Sequence, residues 1–211
     1  MKHLIIVGAG GMGRCAFCIA RESAGYGEDF DIKGFIDDNP HSLDGFENYP
    51  PLLSKIDDYR IEEDDVFVCS VGDPKAKRTI CQKLKARGAT FKSIISNKAY
   101  VSQNVEIGEG CIIAEFAMVC PDVVIGANTL ILNFALIGHD CKIGKYCRID
   151  THCTMGGGTE LEEAVLVHTS SVINHNVKVG EGAMVGACSF VIMNVKPGTT
   201  VFGNPARKIG G

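Results

Sequence analysis

The chain has 211 residues, a formal net charge of −4 and ten cysteines. That length suits two modest domains sharing an interface. A slightly acidic chain without a basic run argues against a nucleic-acid surface. No apolar stretch is long enough to span a bilayer, and Met1-Lys2-His3 leads straight into a short strand without a signal peptide, so a cytoplasmic protein is expected.

Residues 2–7 form an apolar strand, followed by Gly8-Ala9-Gly10-Gly11-Met12-Gly13 and a predicted helix over 14–24. A second strand covers 30–36 and ends in Asp37-Asp38; a third covers 65–71 and ends at Gly72-Asp73-Pro74. A helix over 75–87 and a fourth strand over 90–95 complete the alternation, which predicts a small α/β domain with a parallel sheet. Gly8-x-Gly10-x-x-Gly13 satisfies the dinucleotide fingerprint between a strand and a helix, where backbone amides approach a phosphate. Asp37 stands where an acidic group binds a ribose hydroxyl. The alternative is a tight turn that holds no ligand. About ninety residues supply only half of a double-wound sheet, so a nucleotide or nucleotide sugar fits better than NAD.

From Val101 to Val191 every sixth residue is aliphatic, sixteen in succession without a slip. A period of six is that of a hexapeptide parallel β-helix. Two residues before each aliphatic lies a small or β-branched residue, as a second inward position in a narrow coil requires. The residue after it is often Gly, Asn or Asp (Gly138, Gly144, Asn174, Gly198), read here as a corner entering the left-handed region. Cys111, Cys141, Cys147 and Cys153 occupy the small inward phase and act as compact hydrophobes. Cys15 and Cys18 sit on a predicted helix with no second pair nearby, so no redox or metal role is expected.

These features make two domains, a Rossmann-like one over residues 1–96 and a β-helix over 97–211. The combination resembles the bacterial sialic acid O-acetyltransferase family, which includes N-acetyltransferases of UDP-linked 4-amino sugars. The resemblance rests on the glycine loop, Phe35-Ile36-Asp37-Asp38, Val71-Gly72 with Arg78, Ile137-Gly138-His139-Asp140-Cys141-Lys142-Ile143-Gly144, Lys196-Pro197-Gly198, and Gly203-Asn204-Pro205-Ala206-Arg207.

It implies a left-handed β-helix, a homotrimer, and acetyl-CoA as co-substrate in a groove between subunits. His139 becomes the general base for an attacking amine or hydroxyl, since a free imidazole titrates near about 6.5, and Asp140 orients it. The Rossmann-like domain holds the acceptor, a sugar expected to be nucleotide-linked, through Gly10, Gly11, Gly13, Asp37, Asp38, Gly72 and Arg78. Gly157, one coil after His139, and Ala187 leave room for the pantetheine arm, while Lys196 and Arg207 meet CoA phosphates. His175, two coils on, either lines the groove or is a solvated corner; His152 and His168 are expected at the surface.

Two departures bear on the acceptor. Some members have a second active-site histidine where this chain has Arg148, and relatives often read Gly-His-Gly where it has Gly11-Met12-Gly13. Acetylation of a non-sugar small molecule and an inactive trimeric scaffold are the competing readings.

Overall fold

The computed structural model describes residues 1–211. Its first domain is a four-stranded parallel sheet in the order β3-β2-β1-β4, comprising β1 (Lys2–Val7), β2 (Phe30–Ile36), β3 (Leu52–Ser54) and β4 (Asp65–Cys69). Helices α1 (Gly11–Glu22) and α2 (Pro74–Ala86) follow β1 and β4. β1 and β4 are buried along most of their length, the pattern of strands covered on both sides. The predicted fourth strand is corrected. The sheet's remaining member is β3, a short edge strand, whereas Ile94–Ile95 is already the first strand of the β-helix. Only an isolated bridge from Phe91 to Phe67 ties that connection to the sheet.

The rest of the chain winds into a three-sided prism of about six coils. Its strands are two residues long and pair with those eighteen residues away, as Leu130 does with Ile112 and Arg148. The inward aliphatics, Ile113 through Val201, form one continuous core. The small inward residues do more than fill space. Cys141, Cys147 and Cys153 donate to carbonyls of the next coil (Gly156, Glu162 and His168) at 3.3, 3.1 and 3.1 Å, as Thr129 and Ser171 do to Gly144 and Gly186.

The corners differ from expectation. The left-handed residue lies three after the aliphatic, at Asn128, Phe134, Asp140, Tyr146, His152 and their equivalents, with φ near 60°. Gly138 has no such φ; a Cβ there would come within 2.7 Å of the backbone of Met155 and Gly157. Its glycine permits close approach of successive coils, and of the expected corners Gly138, Gly144, Asn174 and Gly198 only Gly198 adopts the left-handed region.

Each face has its own outer surface. The docked face (Ile94, Ile112, Leu130, then Arg148, Leu166 and Met184) has its first three outward residues buried against Leu4, Ile6, Ala16 and Ile19 of the first domain. The apolar face presents Tyr100, Met118, Leu136, Thr154, Val172 and Phe190. The charged face presents Glu106, Val124, Lys142, Glu160 and Lys178, with Lys178 held to Glu162 at 3.0 Å. Following the chain, the aromatic edge (Phe116, Phe134, His152) separates the docked and apolar faces. The histidine edge (Asp122, Asp140, Gly158, Asn176) separates the apolar and charged faces. The third edge (Gly110, Asn128, Tyr146, Ala164, Gly182) lies under α2. The chain ends in an antiparallel hairpin, Thr200–Gly203 with Ala206–Gly210, on the docked sheet.

Candidate active site

His139 and Asp140 stand on the histidine edge. Asp140 occupies the left-handed corner, a conformation its short polar side chain tolerates. Its Oδ2 lies 2.6 Å from His139 Nδ1. A carboxylate accepts only, so Nδ1–H donates, and Nε2 keeps its lone pair for a proton. The imidazole lies over Gly157, one coil further on, where a Cβ would come within 2.6 Å of the ring. Gly157, expected beside CoA, is where the backbone makes room for the His139 ring. The pair is about two-thirds exposed in a single chain. His175 is an exposed residue further along the same edge.

The second element is the cleft at the carboxyl ends of β1 and β4. In the sheet order, α1 carries the chain from β1 to β2 on one side, while β4 lies on the other. This is the topological switch point, where open α/β sheets bind ligands. Gly13 packs against β1 because a Cβ would strike the Gly8 carbonyl, while Gly10 and Gly11 face open space. α1 starts with no side-chain cap and no acidic residue, so its N-terminal amides are free for an anion. Asp37 accepts from Ala9 N–H at 2.7 Å and Asn39 N–H at 2.8 Å, and Asp38 accepts from Ile56 N–H at 3.1 Å. Both carboxylates brace the loops around the cleft.

Alongside lies a cavity of about 600 Å³, lined by Gly11, Met12 and Tyr49 on one wall and Leu132, Asn133 and Thr151 on the other. Gly72 forms part of the neighbouring rim, with the Arg148 guanidinium against it. Arg148 Nε donates to Asp150 at 2.5 Å, and His168 Nδ1 lies 3.2 Å from the other Asp150 oxygen. His168 was expected merely at the surface. The signal for this group was available, since Asp150 and His168 are eighteen residues, one coil, apart.

Arg78, expected at the acceptor, reaches Glu163 at 3.1 Å and Glu181 at 2.8 Å, so that it ties α2 to the β-helix. Ala187 is exposed beside the left-handed Cys188 on the aromatic edge, not on the edge of His139. Lys196 and Arg207 do come together, lining a cavity of about 290 Å³ with Ile192, Met193 and Lys208 at the end of the prism.

A parallel β-helix with a histidine–aspartate pair on its edge, behind a Rossmann-like domain, defines the class of hexapeptide-repeat acyltransferases. The chain is similar to sugar acetyltransferases of that class, and its N-terminal domain is of the PglD type. The PglD N-terminal domain family matches residues 3–84, and the GMPPB C-terminal domain family matches residues 88–176. The acetyltransferase domain of PglB from Neisseria gonorrhoeae is 25% identical, with TM-score 0.89 and coverage of 99% of this chain and 100% of that one. WeeI from Acinetobacter baumannii is also 25% identical, with TM-score 0.86 and the same coverage. PerB from Caulobacter crescentus, in complex with CoA and GDP-perosamine, shares the fold at 22% identity, TM-score 0.89, over 100% of this chain and 98% of that one. No curated protein sequence matches the chain.

Proposed function

We propose that the protein transfers the acetyl group of acetyl-CoA to an amine or hydroxyl of a nucleotide-linked sugar, in surface-polysaccharide or sialic acid metabolism in the cytoplasm. The observation that carries this reading is the His139–Asp140 pair, in which Asp140 holds Nδ1 and leaves Nε2 free to act as a base. In the reaction the acceptor's nucleophile attacks the thioester carbonyl while His139 Nε2 takes its proton. The carbon–sulfur bond then breaks, the imidazolium of His139 returns the proton to sulfur, and CoA leaves as the thiol. Asp140 stabilises the imidazolium formed on the way. Lys196, Arg207 and Lys208 offer cations to the phosphates of CoA beside an apolar wall. That PerB holds CoA together with GDP-perosamine, and that the PglB domain bears the name acetyltransferase, supports the same chemistry here.

The working site requires more than one copy. The acceptor cleft opens toward the docked face and the aromatic edge, whereas His139 lies on the edge opposite the docked face. Between the aromatic and histidine edges runs the apolar face, whose Tyr100, Met118 and Val172 are exposed. Copies packed in a ring against these faces would cover that surface and set His139 of one copy beside the cleft of the next. A homotrimer built this way gives the exposed base a water-poor surrounding.

The test is thiol release from acetyl-CoA with a panel of UDP- and GDP-linked amino sugars, sialic acid and serine. Turnover with a nucleotide amino sugar, reduced about 100-fold or more in His139→Ala, is the expected result. Turnover with serine alone, or undiminished turnover in His139→Ala, would overturn the reading.

A further inference from the structure

Around Gly72 the protein has more positive charge than partners for it. Arg148 projects from the docked face, and only its Nε is engaged, by Asp150. The Nη nitrogens donate to no protein acceptor, and one of them lies against Gly72, at the carboxyl end of β4. Asp150 has a side chain only 6% exposed and is itself held by His168, so it fixes the plane of the guanidinium. The side chain of Arg148 is 28% exposed. Lys77, in the first turns of α2 a few residues after Gly72, is 1% exposed, and its Nζ has no hydrogen-bond partner. Burial pushes its pKa down, against the opposing pull of the Cys69, Cys81 and Cys111 thiols, with a smaller lowering from Arg148. Both cations flank the same strand end, across the switch point from the uncapped N-terminus of α1.

We propose that Arg148, fixed by Asp150, is an acceptor-binding residue that takes an oxygen of the acceptor's diphosphate, facing the phosphate seat at the start of α1. This rests on the nucleotide-sugar reading above and names the part of the acceptor that this wall recognises. A guanidinium suits the task because its rigid fork matches an oxyanion with two parallel donors and stays charged at every working pH. Asp150 is a positioning residue. It consumes Nε and leaves the Nη edge turned to the ligand. Asp150 pairs with the guanidinium through Nε, and the Nη donors of the other edge are left without a protein acceptor. An Arg at this position selects acceptors with two phosphates over those with one, since the first is already served by the backbone amides of α1.

Calorimetric titration of UDP, GDP, UMP and GMP into the intact protein tests this. Wild type should bind one of the diphosphates more tightly than its monophosphate. Arg148→Gln should lose roughly 10- to 100-fold in diphosphate affinity with little change for the monophosphate. Arg148→Lys should recover part of the loss, and Asp150→Asn, with the arginine present but unbraced, should fall between wild type and Arg148→Gln. If Arg148→Gln does not fold by circular dichroism, Arg148→Lys and Asp150→Asn carry the comparison. Equal diphosphate affinity in wild type and folded variants would overturn the assignment and leave the acetyltransferase reading standing. A raised KM for acceptor with unchanged diphosphate affinity would do the same, moving Arg148 to the sugar. A wild type that binds none of the four nucleotides would remove the nucleotide-sugar reading itself.

Discussion

At the scale of single residues, the account turns on how a solvent-exposed histidine becomes a defined base. Asp140 sets the tautomer through Nδ1, and the bare backbone at Gly157 gives the ring a surface to lie on. Gly157→Ala should therefore push the imidazole off its seat. The expected outcome is a fall in kcat of about 10- to 100-fold, since a displacement near 1 Å spoils alignment. Affinity for acetyl-CoA, measured separately, should change less. Asp37 illustrates a different division of labour. An acid at the end of β2 invites a ribose hydroxyl, yet one oxygen already holds the glycine loop at Ala9 and the other holds its own loop at Asn39.

At the scale of elements, α2 is the component under strain. It docks on the β-helix with a buried lysine, Lys77, whose Nζ has no hydrogen-bond partner, and burial depresses that lysine's pKa. Unfolded, the group titrates near about 10.4. Between the lowered folded value and that one, the unfolded chain holds the extra proton, so stability rises with pH through this window. The penalty is complete below the folded value and gone above the unfolded one. Lys77→Met should therefore raise stability at pH 7 by about 1–3 kcal/mol, with the advantage shrinking toward pH 10.5, as read by chemical denaturation across pH.

The element scale also shows what was legible in the residues. The hexad period fixes a strand every six positions, and it appears in the structure from Ile94 onward because an inward aliphatic is the one thing every coil must have. The corners were misread. Residues such as Phe134 and Tyr146 carry no identity that announces a left-handed backbone, and the fold imposes it on them through the closure of the coil. Glycine after the aliphatic reports instead how closely the next coil approaches. His139 and Asp140 were legible because they are adjacent in the chain. Arg78 and Ala187 were not, because their roles depend on which edge of the prism the first domain covers. β3 escaped notice because three half-buried residues at a sheet edge leave no periodic trace.

At the scale of the whole molecule, the apolar face is the feature a single chain leaves unexplained. Tyr100 is 61% exposed and Met118 42%, and Phe116 and Phe134 stack at 5.1 Å along the adjoining edge, also in the open. Met118→Glu places a charge in the centre of that face. Sedimentation velocity at micromolar concentration should show wild type as a trimer and Met118→Glu as a monomer with an intact fold. The monomer should have lost acetyl transfer while retaining nucleotide binding.

The central claim is that the base of one copy serves the acceptor cleft of another, and complementation between two inactive variants tests it most directly. His139→Ala removes the base. Gly11→Glu sets a carboxylate at the N-terminus of α1, where the backbone leaves space for a side chain and a phosphate would otherwise lie. Each variant alone should release no thiol from acetyl-CoA in the presence of the acceptor. Co-expressed and purified as mixed assemblies, the two should regain a substantial part of wild-type activity, because some sites then combine an intact cleft with an intact His139. Mixed assemblies as inactive as their parents would place cleft and base within one chain and contradict the account.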